Sequence, residues 1–177
     1  MTIYNVVLFF HILAMLGLMI AVAFQWTMLH SAISARDGEE TFRWIRATAR
    51  LPLLVFPSLV TVLGTGIYMA ARTNAFGRGW ISASFLSILF IAAVSIVAGP
   101  ATRALQRYAR QEKIEEVRRA LLKPLLVAPV RLQLALLLTV TFHMVVRTNL
   151  VSSLQIVSVG VASGLLWSVS TWRTGRF

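Results

Sequence analysis

The stretch IYNVVLFFHILAMLGLMIAVAFQWTML, residues 3–29, runs without a lysine, arginine, aspartate or glutamate. A helix needs about 20 mostly apolar residues to cross a bilayer, whose core is about 30 Å thick at a rise of about 1.5 Å per residue. This run is long enough to cross. It has no basic segment before it and no convincing small-residue cleavage site, so it reads as a retained helix rather than a signal peptide. Four further runs meet the same test, at residues 51–71, 80–98, 125–146 and 150–170. The reading is an all-α, polytopic membrane bundle of five spans forming one domain over 1–177. In composition, 58% of residues are hydrophobic and 13% charged, where a soluble domain carries about 25% charged residues.

The fourth run is the weakest. Pro124 and Pro129 precede it and Arg131 sits near its start. It is expected to begin as an interfacial helix, with Arg131 snorkelling to the headgroups. Four spans plus a re-entrant fourth segment is the alternative. Residues 102–122 lack Gly and Pro and carry Glu112, Glu115 and Glu116 among arginines and lysines. The third helix is therefore expected to extend past the membrane and turn back, with ion pairs at helical spacing.

Net charge is +11, but the basic residues lie between spans rather than in one basic domain, so nucleic acid is not the expected partner. One set of loops holds Arg36, Arg43, Arg46 and Arg50, then Arg103, Arg107, Arg110, Lys113, Arg118, Arg119 and Lys123, then Arg173 and Arg176. The other side carries Arg72, Arg78 and Arg147. The positive-inside rule places the N-terminus outside and the C-terminus inside, in a bacterial inner membrane with anionic lipids at the inner face. Tyr4, Tyr68 and Trp80 are expected at the outer interface, and Trp26, Trp167 and Trp172 at the inner one.

Cysteine is absent, which removes disulfides, thiolate metal sites and c-type haem attachment. The acidic residues Asp37, Glu39, Glu40, Glu112, Glu115 and Glu116 all fall in inside loops. Ion-coupled carriers and proton relays place acids inside the bundle, and hydrolytic acid/base work needs paired carboxylates. The chain thus reads as something other than an independent enzyme.

Ionisable groups in lipid are costly, so intramembrane histidines are candidate sites. From the span boundaries, His11 lies roughly 12 Å and His143 about 6 Å below the same outer edge. Paired imidazoles on facing helices can hold haem b, with Arg72, Arg78 and Arg147 as propionate partners. Redox work or an accessory role in a larger complex would follow. His11, Met15 and Met19 recur every four residues on one helix face. With Met69, and with His143 as a further donor, they offer soft ligands to Cu(I). The bland alternative is interhelical hydrogen bonding by the histidines and gap filling by the methionines. His30, beside the inner loop, reads as a solvated interfacial residue.

Gly160, Gly164 and Ser168 form a small-residue stripe in the fifth span, which lets helix backbones approach closely. The contact lies within the bundle or with a membrane-protein partner or second copy, as in a structural or assembly subunit. Gly64 and Gly66, after Pro52 and Pro57, suggest a second close contact and a kink.

Residues 10–17, FHILAMLG, continuing to Met28, Leu29 and His30, resemble the first helix of small bacterial integral membrane proteins. That group includes proteins of unknown function, the copper-resistance protein D family and the HemJ-type protoporphyrinogen oxidases. The resemblance covers the first span and, by pattern, the next two. It implies haem or copper association for His11 and does not extend to His143. The lysine that the HemJ type relies on in a later span has no counterpart in residues 80–98, which argues against porphyrinogen oxidation.

Overall fold

A computed structural model describes residues 2–174, with side chains described through residue 169. The calls on Trp172, Arg173 and Arg176 lie outside the described side chains. Seven helices follow in order: α1 (Ile3–Ser34), α2 (Gly38–Thr48), α3 (Pro52–Arg72), α4 (Gly79–Arg110), α5 (Ile114–Leu121), α6 (Pro124–Val146) and α7 (Leu150–Thr174). No strand occurs among the described residues. Five segments are long and apolar enough to cross a membrane: Ile3–Ser34, Gly38–Arg72, Gly79–Arg110, Pro124–Val146 and Leu150–Val169. The chain is a multi-pass membrane helical bundle.

The helix boundaries follow local chemistry. Asp37 caps α2 by accepting the Glu40 amide at 2.7 Å, which satisfies a backbone donor left unpaired in the first turn. Asn149 does the same for α7, accepting from Ser152 at 2.9 Å. Pro52 and Pro124 open α3 and α6, where a missing N–H costs nothing. Arg147 ends α6 in the left-handed region, with φ of 51°, and its amide donates to the His143 carbonyl at 3.1 Å.

α6 is the hub of the bundle. It packs against α7, α4 and α1, while α3 lies against the far side of α1. More than half of the apolar window of α6 is buried, against a third or less for the other spans. Leu136, Leu137 and Val140 on α6 meet Leu18 and Val22 of α1 and Ile88 and Ile91 of α4 in one core.

This arrangement corrects the expectation for the fourth span. α6 runs unbroken through Pro129, so the re-entrant alternative is not adopted. Arg131 is 2% exposed; it does not snorkel. The charged connection after α4 is the expected helical extension, broken at Glu112 with φ of 56° and followed by α5. The expected ion pairs of Glu112, Glu115 and Glu116 are not formed among the described residues, where Glu39–Arg43 at 3.6 Å is the ion pair seen. The loop between the first two spans contains an unanticipated helix. α2 buries Thr41, Phe42, Ile45 and Thr48 and turns Arg43 and Arg46 outward, and Arg50 just beyond it is also exposed. It packs on α1 and α4, and α5 packs on α4, α1 and α6. These two amphipathic helices cap one end of the bundle.

Candidate functional site

His11 lies in the seam between α1 and α3. Two contacts set the antiparallel register there. A methyl on Gly17 would meet Ser58 Oγ at 2.7 Å, and His11 Nδ1 lies 2.8 Å from Thr65 Oγ1. Gly66 borders the ring: a Cβ there would stand 3.5 Å from His11 Cε1, an ordinary van der Waals contact. The second close contact expected at residues 64–66 is not formed: Gly66 makes only this ordinary contact and Gly64 faces open space.

The hydroxyl of Thr65 decides the tautomer of His11. Thr65 Oγ1 donates to the Thr61 carbonyl, so its one proton is committed. It can only accept from the histidine. His11 Nδ1 therefore carries the proton, and Nε2 presents a lone pair. Fixing one imidazole nitrogen by a hydrogen bond so that the other can ligate is the usual outer-shell arrangement of metal-binding histidines.

Two thioethers lie one helical turn from this contact, one on each helix. Met15 is one turn from His11 on α1 and is 7% exposed. Met69 is one turn from Thr65 on α3, on the same helix face, and half-buried. At about 1.5 Å per residue, and with the two helices antiparallel, they are displaced about 6 Å from the His11–Thr65 contact in opposite directions, one on either side of it. Met19 is elsewhere: its sulfur lies 3.9 Å from Thr141 Oγ1 of α6.

His143 belongs to a different interface. Three contacts orient α6: Gln133 Nε2 donates to Ser95 Oγ of α4 at 2.8 Å, Thr139 backs onto Gly160 of α7, and Thr141 meets Met19 of α1. His143 follows Thr139 by four residues and Thr141 by two, so it shares the α7-facing side. It is rotated about 200° from the α1-facing side. It is wholly buried, and neither Nδ1 nor Nε2 reaches a hydrogen-bond partner among the described residues. The ring passes the Ser153 backbone without reaching hydrogen-bond geometry.

The structure thus does not bring His11 and His143 together. The body of α6 stands between their rings. Counting from the Met19–Thr141 contact, His11 is about 12 Å and His143 about 3 Å toward the same end, a depth difference of about 9 Å. An open groove of about 550 Å³ runs along α6 and α7, and a cavity of about 10 Å³ lies beside Arg131; neither is lined by either histidine. A haem held between the pair does not fit these residues. The proposed propionate partners are dispersed and exposed: Arg72 Nε donates to Tyr68 OH at 3.3 Å, Arg78 precedes α4, and Arg147 caps α6.

Gly160 and Gly164 serve the bundle itself. A Cβ on Gly160 would overlap Thr139 Oγ1, and one on Gly164 would stand 3.1 Å from Leu132 Cα and 3.4 Å from Ala135 Cβ. They let α7 sit directly on α6. Ser168 Oγ donates to the Gly164 carbonyl at 2.8 Å, within its own helix.

One cluster has no counterpart in the sequence reading. The Arg131 guanidinium lies 4.7 Å from the Trp26 ring and 5.1 Å from the Trp167 ring, and the two rings are 5.1 Å apart at 54°. These distances make a nearly equilateral triangle, so the cation sits in the notch between two tilted indoles rather than between parallel plates. Nη1 also donates to the Trp167 carbonyl at 2.8 Å. Trp26 and Trp167, expected as separate interfacial anchors, are partners in a cation–π contact. His30 is exposed, as expected, with its ring 5.9 Å from Trp26. Only the oddity of an arginine inside an apolar run pointed this way.

No family model matches the chain, and no match is found among curated proteins or solved structures.

Proposed function

We propose that this protein handles copper, taking up Cu(I) in the seam between α1 and α3 through His11 Nε2 and the thioethers of Met15 and Met69. The observation that carries this reading is the committed hydroxyl of Thr65, which leaves His11 with a lone pair directed away from its hydrogen bond. Thioether and imidazole donors together favour Cu(I) over harder divalent ions. The low charge of such a site suits an apolar seam, where a carboxylate cage would be costly. Met19 and His143 leave the ligand set, since they face other helices. The loop charges support an outside N-terminus in a bacterial inner membrane, which puts the seam in the outer half of the bilayer and opens it to copper from outside.

The test is anaerobic competition for Cu(I) between the purified protein in detergent and a chromogenic chelator. One copper per chain is expected. His11→Ala, Met15→Leu and Met69→Leu each weaken binding at least tenfold, and Thr65→Val weakens it by about 10–100-fold through loss of the fixed tautomer. Met19→Leu and His143→Leu leave it unchanged. Absence of copper binding by the wild type, or equal damage from Met19→Leu and Met15→Leu, overturns the reading.

A second reading has its own observation. The α6–α7 groove is lined by Leu134, Leu138, Phe142, Ile156 and Val159 and is open along its length. A second copy of the chain packing there would make the protein a homo-oligomeric assembly subunit, with Gly160 and Gly164 at the floor of the groove.

A further inference from the structure

Of the three histidines, His143 alone is buried without a hydrogen bond among the described residues. It lies in the last turn of α6, four residues before Arg147, and only residues 147–149 join α6 to α7. Local contacts hold this joint. Arg147 sits in the left-handed region, its amide donates to the His143 carbonyl at 3.1 Å, and the Thr148 and Ser153 hydroxyls are 2.8 Å apart. A Cβ on Gly79 would overlap the Leu150 backbone, so the start of α4 closes over the same joint.

Nothing around the ring accommodates a second proton. An imidazolium donates from both nitrogens, and a buried charge needs a partner. Residues 150–160 of α7 and 79–88 of α4 carry no titratable side chain. The charges at this end are Arg147 and, ahead of α4, Arg78, both cations and both exposed. α1 brings Tyr4 at its start and His11, which faces α3 rather than α6. α5 also packs on α6, but at the opposite end, and every carboxylate of the chain lies at that end, at residues 37–40 and 112–116. The closed joint therefore holds the ring only in its neutral form.

We propose that the α6–α7 joint is an acid-sensitive latch: proton uptake by His143 requires the last turn of α6 to release, so acidification opens this end of the bundle while the rest stays packed. Local opening of this kind is the low-energy motion of a helix end. Once released, the ring meets water or headgroups and titrates near the ordinary histidine value of about 6.5. The open joint then binds one more proton than the closed one. Its population is therefore constant well above that pH and rises below it, approaching tenfold per pH unit. The latch is independent of the copper seam, which lies between α1 and α3.

The test is hydrogen–deuterium exchange of the purified protein in detergent between pH 7.5 and 5.0, read by mass spectrometry and corrected for the intrinsic pH dependence of exchange. Protection of the amides at residues 143–147 and 153–157 is expected to fall about 30-fold over this range. Amides at residues 11–22 of α1 keep their protection. His143→Leu and His143→Gln each make the joint's protection independent of pH, and the glutamine variant, which keeps a polar group there, decides the question if the leucine variant does not fold. His11→Ala leaves the acid response in place. Protection at the joint that stays constant with pH in the wild type overturns the proposal. So does an acid response that survives in a folded His143 variant, or a loss shared equally by α1.

Discussion

Placing a methyl group at Gly160 probes the contact on which the α6–α7 hairpin depends. The new Cβ would overlap Thr139 Oγ1 and lie 3.4 Å from Thr139 Cβ. The Thr139 hydroxyl donates to the Ala135 carbonyl at 2.9 Å, so it can clear the methyl only by rotating off that acceptor or by moving the helices apart. Overpacking of this kind costs about 1–3 kcal/mol. Alanine in place of glycine in a helix interior gains about 1 kcal/mol, leaving a net loss of about 0–2 kcal/mol for Gly160→Ala. Thr139→Ala removes the obstructing atom. The double variant is therefore expected to be more stable than Gly160→Ala alone, with a coupling energy of about 1–3 kcal/mol. Gly164→Ala serves as a contrast, because its obstacle is Leu132 Cα at 3.1 Å, which trimming the Leu132 side chain cannot relieve. The assay is reversible unfolding in mixed micelles, followed by tryptophan emission. Additivity of Gly160→Ala and Thr139→Ala to within about 0.5 kcal/mol would refute the argument, since groups that do not touch behave that way.

Two further outcomes follow from the same geometry. His143 is buried with neither ring nitrogen hydrogen-bonded, a condition that costs about 1–3 kcal/mol. His143→Leu should therefore leave the unfolding midpoint unchanged or raise it in the same micelle assay, and a marked loss would show that the imidazole has a partner in the membrane. The chain contains no cysteine, so a single cysteine reports one position cleanly. If a second copy packs in the α6–α7 groove, Val159→Cys, 68% exposed, should form a disulfide dimer on oxidation in membranes. Leu53→Cys on α3, 78% exposed, should not, and equal dimer yields from both would remove the groove as an interface.

Three polar side chains within the spans hold helices together, while most serine and threonine hydroxyls bond to carbonyls of their own helices. His11 links α1 to α3, Gln133 links α6 to α4, and Arg131 joins α6 to α7 and to Trp26 of α1. Interhelical hydrogen bonds of this type contribute about 0.6–2 kcal/mol each in membranes. That is modest, but hydrocarbon provides little hydrophobic drive between helices, so polar links and close glycine contacts set which faces meet. His143 is as buried as these three and makes no such link, which is why its substitution is informative.

Composition and apolar run length determined the class of this protein: five segments long and apolar enough to cross the bilayer, with the basic residues other than Arg131 at or beyond their ends. These properties are legible in one dimension because the bilayer imposes a fixed length and excludes charge. The sequence also singled out His11 and the neighbouring methionines, since soft and ionisable groups stand out in an apolar helix. Tertiary structure alone decided which helix each of them faces. Residue spacing gives the angle of each side chain about its own helix, but not the direction in which the neighbouring helix lies. Thr141 and His143 are two residues apart and face opposite sides of α6, which separates His11 from His143 despite their similar expected depth. Thr65, unremarkable in sequence, became the partner of His11 because the α1–α3 register places its hydroxyl there. Arg131, expected in the headgroups, is held inside because α6 became the central helix, and its cation found two indoles before it could reach water.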